Sequence, residues 1–188
     1  MWVNLLQRID KGCRMNRRSS IHAASPSFIM KIRVICVGKI KERFYRDAVS
    51  EYIKRLSRYC KTEIIECSDE KTPDGASPIE EERIKGREGE KVLSRITDSD
   101  FCIALAINGK TYSSESLSAH LSHLMMNGKS TITFIIGGSL GLSEAVMRRA
   151  DESMSFSELT FPHQLMRVIL LEQIYRSFRI MNNEPYHK

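Results

Sequence analysis

Two loops in this 188-residue chain carry the residue types from which a site can be built. The first is Gly137-Gly138-Ser139-Leu140-Gly141, directly after the apolar run Ile132-Thr-Phe-Ile-Ile136. The second, about twenty residues on, is Leu159-Thr-Phe-Pro162-His163-Gln-Leu-Met-Arg167. Paired glycines let the backbone turn sharply and come against a ligand with no Cβ in the way. Histidine adds a group that gains or loses a proton near neutral pH. The combination suggests a small ligand held by main chain, with acid-base chemistry beside it.

Two commoner glycine motifs do not fit. A dinucleotide fingerprint needs G-x-G-x-x-G with an acidic residue about twenty positions on, at a strand end. Here the order is G-G-x-x-G, and the nearest acid, Glu158, falls in a loop. Gly109-Lys110-Thr111 and Gly128-Lys129-Ser130 imitate the end of a phosphate-binding loop, but its first glycine would fall on Ala104 and His123. Both read as turn glycines beside solvated lysines. The cysteines, at positions 13, 36, 60, 67 and 102, form no C-x-x-C pair and are odd in number, which argues against a zinc site or a disulfide framework. Cys36 and Cys102 sit within apolar strand patterns and read as small buried hydrophobes. His120 and His123 have the i, i+3 spacing of a metal pair but no third ligand in a fitting position, so packing or surface roles are expected and no metal is assigned.

The elements that position these loops alternate strand and helix from Met30 onward, the pattern of an α/β fold: a mainly parallel sheet with helices on both faces. Strands are expected at Ile32 to Val37, Thr62 to Cys67, Phe101 to Ala106 (ending at the Asn108-Gly109 turn), Ile132 to Ile136 and Met154 to Ser157. Helices are expected over Arg43 to Tyr59, Ile79 to Ile96, the segment of Leu117, Leu121 and Leu124, a short stretch capped by Ser143, and Gln164 to Met181. The charge run of the second helix reads as a solvated face. On the last helix, Leu165, Val168, Ile169, Leu171, Ile174 and Phe178 cover more than one face, which suggests packing against a second subunit as well as the sheet.

With 41% hydrophobic residues the chain can bury an ordinary single-domain core, and no run approaches the roughly 18 apolar residues of a membrane span. Cysteine usage points to a reducing compartment, with the cytoplasm as the expected location. The net charge is +6, but residues 1–29 hold Arg8, Lys11, Arg14, Arg17 and Arg18 against Asp10 alone, leaving +2 for residues 30–188. Any nucleic-acid contact must then come from a local cluster, for which the C-terminal helix with Arg167, Arg176, Arg179 and Lys188 is the candidate. Residues 1–29 lack hydrophobic periodicity and read as an appendage to a single domain over 30–188. They could be a transit peptide, a basic arm for RNA, or translation from an upstream start with Met30 the true beginning; the last is favoured because the strand pattern begins immediately after Met30.

Val37-Gly38-Lys39, Glu51-Tyr52, Lys54-Arg55-Leu56, Glu88-Gly89-Glu90, Ile136-Gly137-Gly138, Leu159 to His163, Tyr175-Arg176 and Pro185-Tyr186-His187 together resemble the RlmH (YbeA) family, the small stand-alone SPOUT methyltransferases acting on ribosomal RNA. The resemblance spans Met30 to Lys188. It implies a SPOUT fold with a C-terminal trefoil knot, a homodimer, and S-adenosylmethionine as cofactor. It also implies methylation of the N3 position of a pseudouridine in 23S ribosomal RNA on the assembled ribosome. Carried over by position, Leu105, Gly137 and the loop Phe156, Ser157, Glu158, Leu159, Thr160 and Phe161 line the cofactor pocket.

Transfer to an imide nitrogen demands alignment and removal of a proton. His163 and His187 are the candidates for the base, Arg176 for stabilising the imide anion or gripping a phosphate, and Tyr186 for stacking on an extruded base. The plainer readings are that His163 caps its helix and that His187 orders the tail. A different function class, a non-catalytic ribosome-binding protein with the same fold, predicts ribosome association without cofactor binding. A generic nucleotide-binding enzyme would be stabilised by NAD or ATP instead.

Overall fold

The computed structural model describes residues 30–185. The reading of residues 1–29, and the assignments to Tyr186, His187 and Lys188, lie outside the described residues. Within them the chain runs β1 (Lys31–Val37), α1 (Arg43–Leu56), β2 (Lys61–Cys67), α2 (Pro78–Leu93), β3 (Phe101–Thr111), α3 (Ser114–Met126), β4 (Thr131–Ile136), α4 (Glu144–Arg149), β5 (Glu152–Ser155) and α5 (His163–Met181). The strands form one sheet in the order β2-β1-β4-β3-β5, and every pairing is parallel.

Both faces of the central strands are covered, which is why β1 and β4 read as nearly unbroken apolar runs. Alternate residues of β1 serve two cores. Ile32, Val34 and Cys36 pack with Val49 and Leu56 of α1, Leu117 and Leu121 of α3, and Leu170, Leu171 and Ile174 of α5. Ile35 and Val37 face the other way, toward Val92 of α2 and Val146 of α4. Tyr59 lies beyond the end of α1 and stacks on Phe178 of α5, ring centroids 5.6 Å apart.

Local chemistry sets the helix starts. Ser77 and Glu80 form a reciprocal capping box on α2, Ser113 accepts from the Ser116 N–H of α3, and Ser143 accepts from the Val146 N–H as its position suggested. Several boundaries differ from the sequence reading. Helices α1 and α2 stop at Leu56 and Leu93, short of Tyr59 and Ile96. The strand β5 begins at Glu152, two residues before the expected Met154; it is an edge strand, where polar residues are tolerated.

The largest difference is in β3, which does not end at Asn108-Gly109. Leu105 and Lys110 both pair with Met154, so the residues between them bulge out of the ladder before pairing resumes. Gly109 allows this, because a Cβ there would stand 2.5 Å from the Met154 carbonyl carbon. Among the described residues no helix is long and apolar enough to cross a membrane.

Candidate cofactor pocket

The carboxyl ends of β3, β4 and β5 and the loop leading into α5 enclose a cavity of about 530 Å³. That is the location where parallel α/β sheets bind ligands, and the size of a small-molecule site. Its floor is the glycine turn after β4. A Cβ on Gly137 would lie 2.7 Å from the Gly141 carbonyl carbon, so only glycine permits this closure. Gly141 turns the chain at φ 84° and donates its N–H to the Gly138 carbonyl at 3.1 Å.

Behind the turn stands Glu88 of α2. Its carboxylate accepts from the Glu70 N–H at 2.9 Å and would meet a Cβ on Gly138 at 3.0 Å. Burial raises the pKa of this carboxyl above the ordinary value. Glu88 is therefore a buried support of the turn, an exception among the α2 charges, of which Glu80, Glu82, Arg83, Arg87 and Glu90 form the expected solvated face.

The structure brings most of the expected cofactor residues together. Leu105, Gly137, Phe156, Ser157, Leu159, Thr160 and Phe161 all line the cavity, whereas Glu158 of the same loop is exposed and does not. Ala106 and Ile107 were missed because they belong to the bulge of β3. No Asp, Glu, Lys or Arg is among the residues lining the cavity, and His163 is its titratable side chain. Apolar walls with exposed main chain around the glycine turn suit an adenine held by backbone hydrogen bonds, so the residues present fit S-adenosylmethionine.

His163 is half-buried and is the first residue of α5. Pro162 occupies the capping position and no side chain caps this end, so His163 is not a cap. Its ring packs against Gly38, where a Cβ would come within 3.4 Å of Nε2. Burial is the main cause lowering its pKa below 6.5; the neighbouring Arg167 and, more weakly, Lys41 add to that, while Asp69 opposes. The neutral imidazole is thus the resting form at neutral pH, with a lone pair available for a proton.

Arg167 holds that corner together. Its side chain is fully buried; it donates to Glu66 Oε1 at 2.7 Å and to the carbonyls of Val37 and Gly38 at 3.1 and 2.8 Å. Glu66 Oε1 also accepts from the Ile40 N–H at 2.9 Å, and the Gln164 side chain accepts from the Lys41 N–H at 2.8 Å. The start of α5 is thereby tied to the carboxyl ends of β1 and β2. This corrects the placement of Arg167 among RNA-contacting cations: it has no surface to offer. Arg176 and Arg179 are partly buried and bonded to Glu172 and Glu184, and neither lines the cavity. The site that sequence reasoning ascribed to this helix therefore contains His163 but not Arg176.

The remaining candidates resolve simply. Cys36 and Cys102 are buried, and desolvation pushes their thiols up to about 12 and about 11, which leaves them without nucleophilic thiolate. His120 bonds Glu152 at 2.7 Å and stacks on Tyr112, and His123 lies against Asn127. Among the described residues no three His, Cys, Asp or Glu side chains gather as metal ligands.

Comparison with known proteins agrees with this architecture. The family model described as predicted SPOUT methyltransferase matches residues 30–187. A protein of Bifidobacterium adolescentis named ribosomal RNA large subunit methyltransferase H is 58% identical over 159 residues, 85% of this chain and all of the relative. Relatives of the same name from Clostridium acetobutylicum and Clostridium perfringens are 56% and 57% identical over the same shares. A solved structure from Haemophilus influenzae, a probable methylase family protein, aligns at TM-score 0.48 and 10% identity over 84% of this chain and 70% of that one, too slight a likeness to carry an argument. A family match over most of the chain, and relatives more than half identical along their whole length, place the chain in the SPOUT methyltransferases, as a member of the RlmH family.

Proposed function

We propose that the protein methylates the N3 position of a pseudouridine in 23S ribosomal RNA on the assembled ribosome, with S-adenosylmethionine as donor. The observation that carries this reading is the cavity itself: a glycine turn that brings main chain to a ligand and, in the same wall, a histidine held neutral. The names of the relatives, which are ribosomal RNA methyltransferases, supply the substrate class. When bound, the cofactor would supply an electrophilic methyl carbon on a sulfonium centre.

The chain's own residues divide the remaining work. Leu105, Phe156, Leu159 and Phe161 give the cofactor apolar contact, and the main chain around Gly137 would orient its adenine. His163 takes the imide proton onto a ring nitrogen, a contribution of about 10² to 10⁴ in rate for a well-placed base. Tyr186 stacks on the target base, and His187 is the alternative proton acceptor from the tail. Arg176 grips a phosphate or the imide anion from a second subunit, because in its own subunit it stands away from the cavity. A homodimer packed through the partly buried Leu165, Val168 and Ile169 of α5 supplies that arrangement. The trefoil knot through the C-terminal elements and a cytoplasmic location belong to the same reading.

The test is transfer of labelled methyl from S-adenosylmethionine to intact ribosomes lacking the modification, with ribosomes lacking the pseudouridine as control. Label on the pseudouridine is expected. Cofactor binding without transfer to either ribosome would refute the substrate, and ribosome association without cofactor binding would point to the non-catalytic binding protein.

A further inference from the structure

Among the described residues, one cationic segment borders the cavity without lining it, the turn from β1 into α1. Lys39, Lys41, Arg43, Phe44 and Arg46 are all exposed there, and Phe44 keeps 61% of its surface in solvent. Lys39 and Lys41 form no ion pair among the described residues, whereas Arg43 meets Asp47 at 3.6 Å. Cations in the first turn of a helix oppose its dipole, and α1 has no acidic residue in its first turn. Helix stability therefore does not account for the two lysines, which precede α1 and pair with no carboxylate.

The segment is also ordered. Arg46 donates to the carbonyls of Ile40 and Lys41 at 3.2 and 3.0 Å, and Glu66 and Gln164 accept from the N–H groups of the same two residues. Gln164 is the neighbour of His163, so the turn abuts the rim of the cavity. The Phe44 ring lies 4.3 Å from that of Tyr45 and offers its free surface outward.

Free cations beside an exposed aromatic, prepositioned next to a cavity, are the elements of a nucleic-acid platform. We propose that this turn grips the substrate RNA, with Lys39 and Lys41 neutralising backbone phosphates and Phe44 stacking on a base. The proposal rests on the reading of the substrate as RNA. It adds to the contact proposed for Arg176 a second one from far earlier in the chain, Lys41 lying 123 positions before Gln164.

The test uses the full chain and two variants, Lys39→Glu/Lys41→Glu and Phe44→Ala. Cosedimentation with ribosomes across a salt series and KM for ribosomes are measured for each. The charge variant should weaken binding about tenfold or more and flatten the salt dependence by about one unit of slope per lysine. Phe44→Ala should weaken binding with the salt slope unchanged. Melting temperature, S-adenosylmethionine affinity and oligomeric state should match wild type for both. Unchanged binding and slope would overturn the proposal, and so would dissociation of an oligomer, which would make the turn a subunit contact. If wild type transfers no methyl, the proposed activity fails while the binding series still decides this inference.

Discussion

Arg167 and Lys41 border the same short turn and carry the same charge, yet one is sealed in the protein and the other is free in water. A buried guanidinium is retained because its planar fork matches a carboxylate and two carbonyls at once, and any smaller or uncharged group would orphan them. An exposed ammonium with no acidic partner does nothing for the fold, and is available to something outside it. The pair shows that charge at this end of the molecule is sorted by burial: the buried cation shapes the corner on which His163 sits, and the exposed ones face the surroundings.

The largest effect expected from breaking this arrangement is on stability. Arg167→Met should cost on the order of 3 kcal/mol, because Glu66 and the Val37 and Gly38 carbonyls lose their partner. Arg167→Lys should recover only part of that, since an ammonium cannot span the same three acceptors. Lys41→Met should leave the melting temperature within error of wild type. Thermal unfolding of the three variants checks the ordering, and equal losses for Arg167→Met and Lys41→Met would remove the distinction.

The next effect is on proton uptake. Because the pKa of His163 is lowered in the folded protein, the neutral base persists as pH falls through 6.5, and methyl transfer should decline only at lower pH. The same sign makes His163 a source of stability above its unfolded pKa that is lost as pH falls through the folded value. Lys41→Met should raise the pKa of His163 slightly and Arg167→Met more, in the order of their contributions. Imidazole titration by NMR reads both shifts, and a rise larger for Lys41→Met would contradict the electrostatic account. His163→Ala should lower transfer by about 10² or more if this histidine is the base.

The smallest effect is in the cysteines, all four of which are buried among the described residues. Cys36 and Cys102 should resist alkylation in the native protein and react only on unfolding, as thiols pushed up to about 12 and about 11 require. Peptide mapping after brief treatment with iodoacetamide would show this, and rapid native labelling of Cys36 would mean that the core opens readily.

The sequence was most legible where local pattern and burial agree. β1 and β4 announce themselves as β-branched runs covered on both faces, and Ser143 sits where a cap belongs. Gly137 and the Leu159 to His163 loop could be singled out because a glycine turn after a buried strand has few other uses. The path of β3 was not legible. Asn108-Gly109 is a strong turn signal, and only the approach of Met154 from β5 reveals that Gly109 serves a bulge instead.

Two buried charges were also misread, although a signal existed for each. Glu88 lies four residues from both Ile84 and Val92, on the buried stripe of α2. Arg167 precedes Leu170, Leu171 and Ile174 by three, four and seven positions, on the buried stripe of α5. A charged residue in register with an apolar stripe is read by composition as solvated and by periodicity as buried. Here periodicity was the better guide, because each charge finds a partner fixed elsewhere in the chain.

Calorimetric titration of S-adenosylmethionine into the full chain and into Gly137→Ala tests most directly whether the cavity beside Gly137 holds the cofactor. Wild type should bind, and the variant should lose at least about tenfold in affinity while still melting cooperatively, since the added Cβ would displace the Gly141 backbone and reshape the cavity floor. Equal affinity for both proteins would place the cofactor elsewhere and contradict the account.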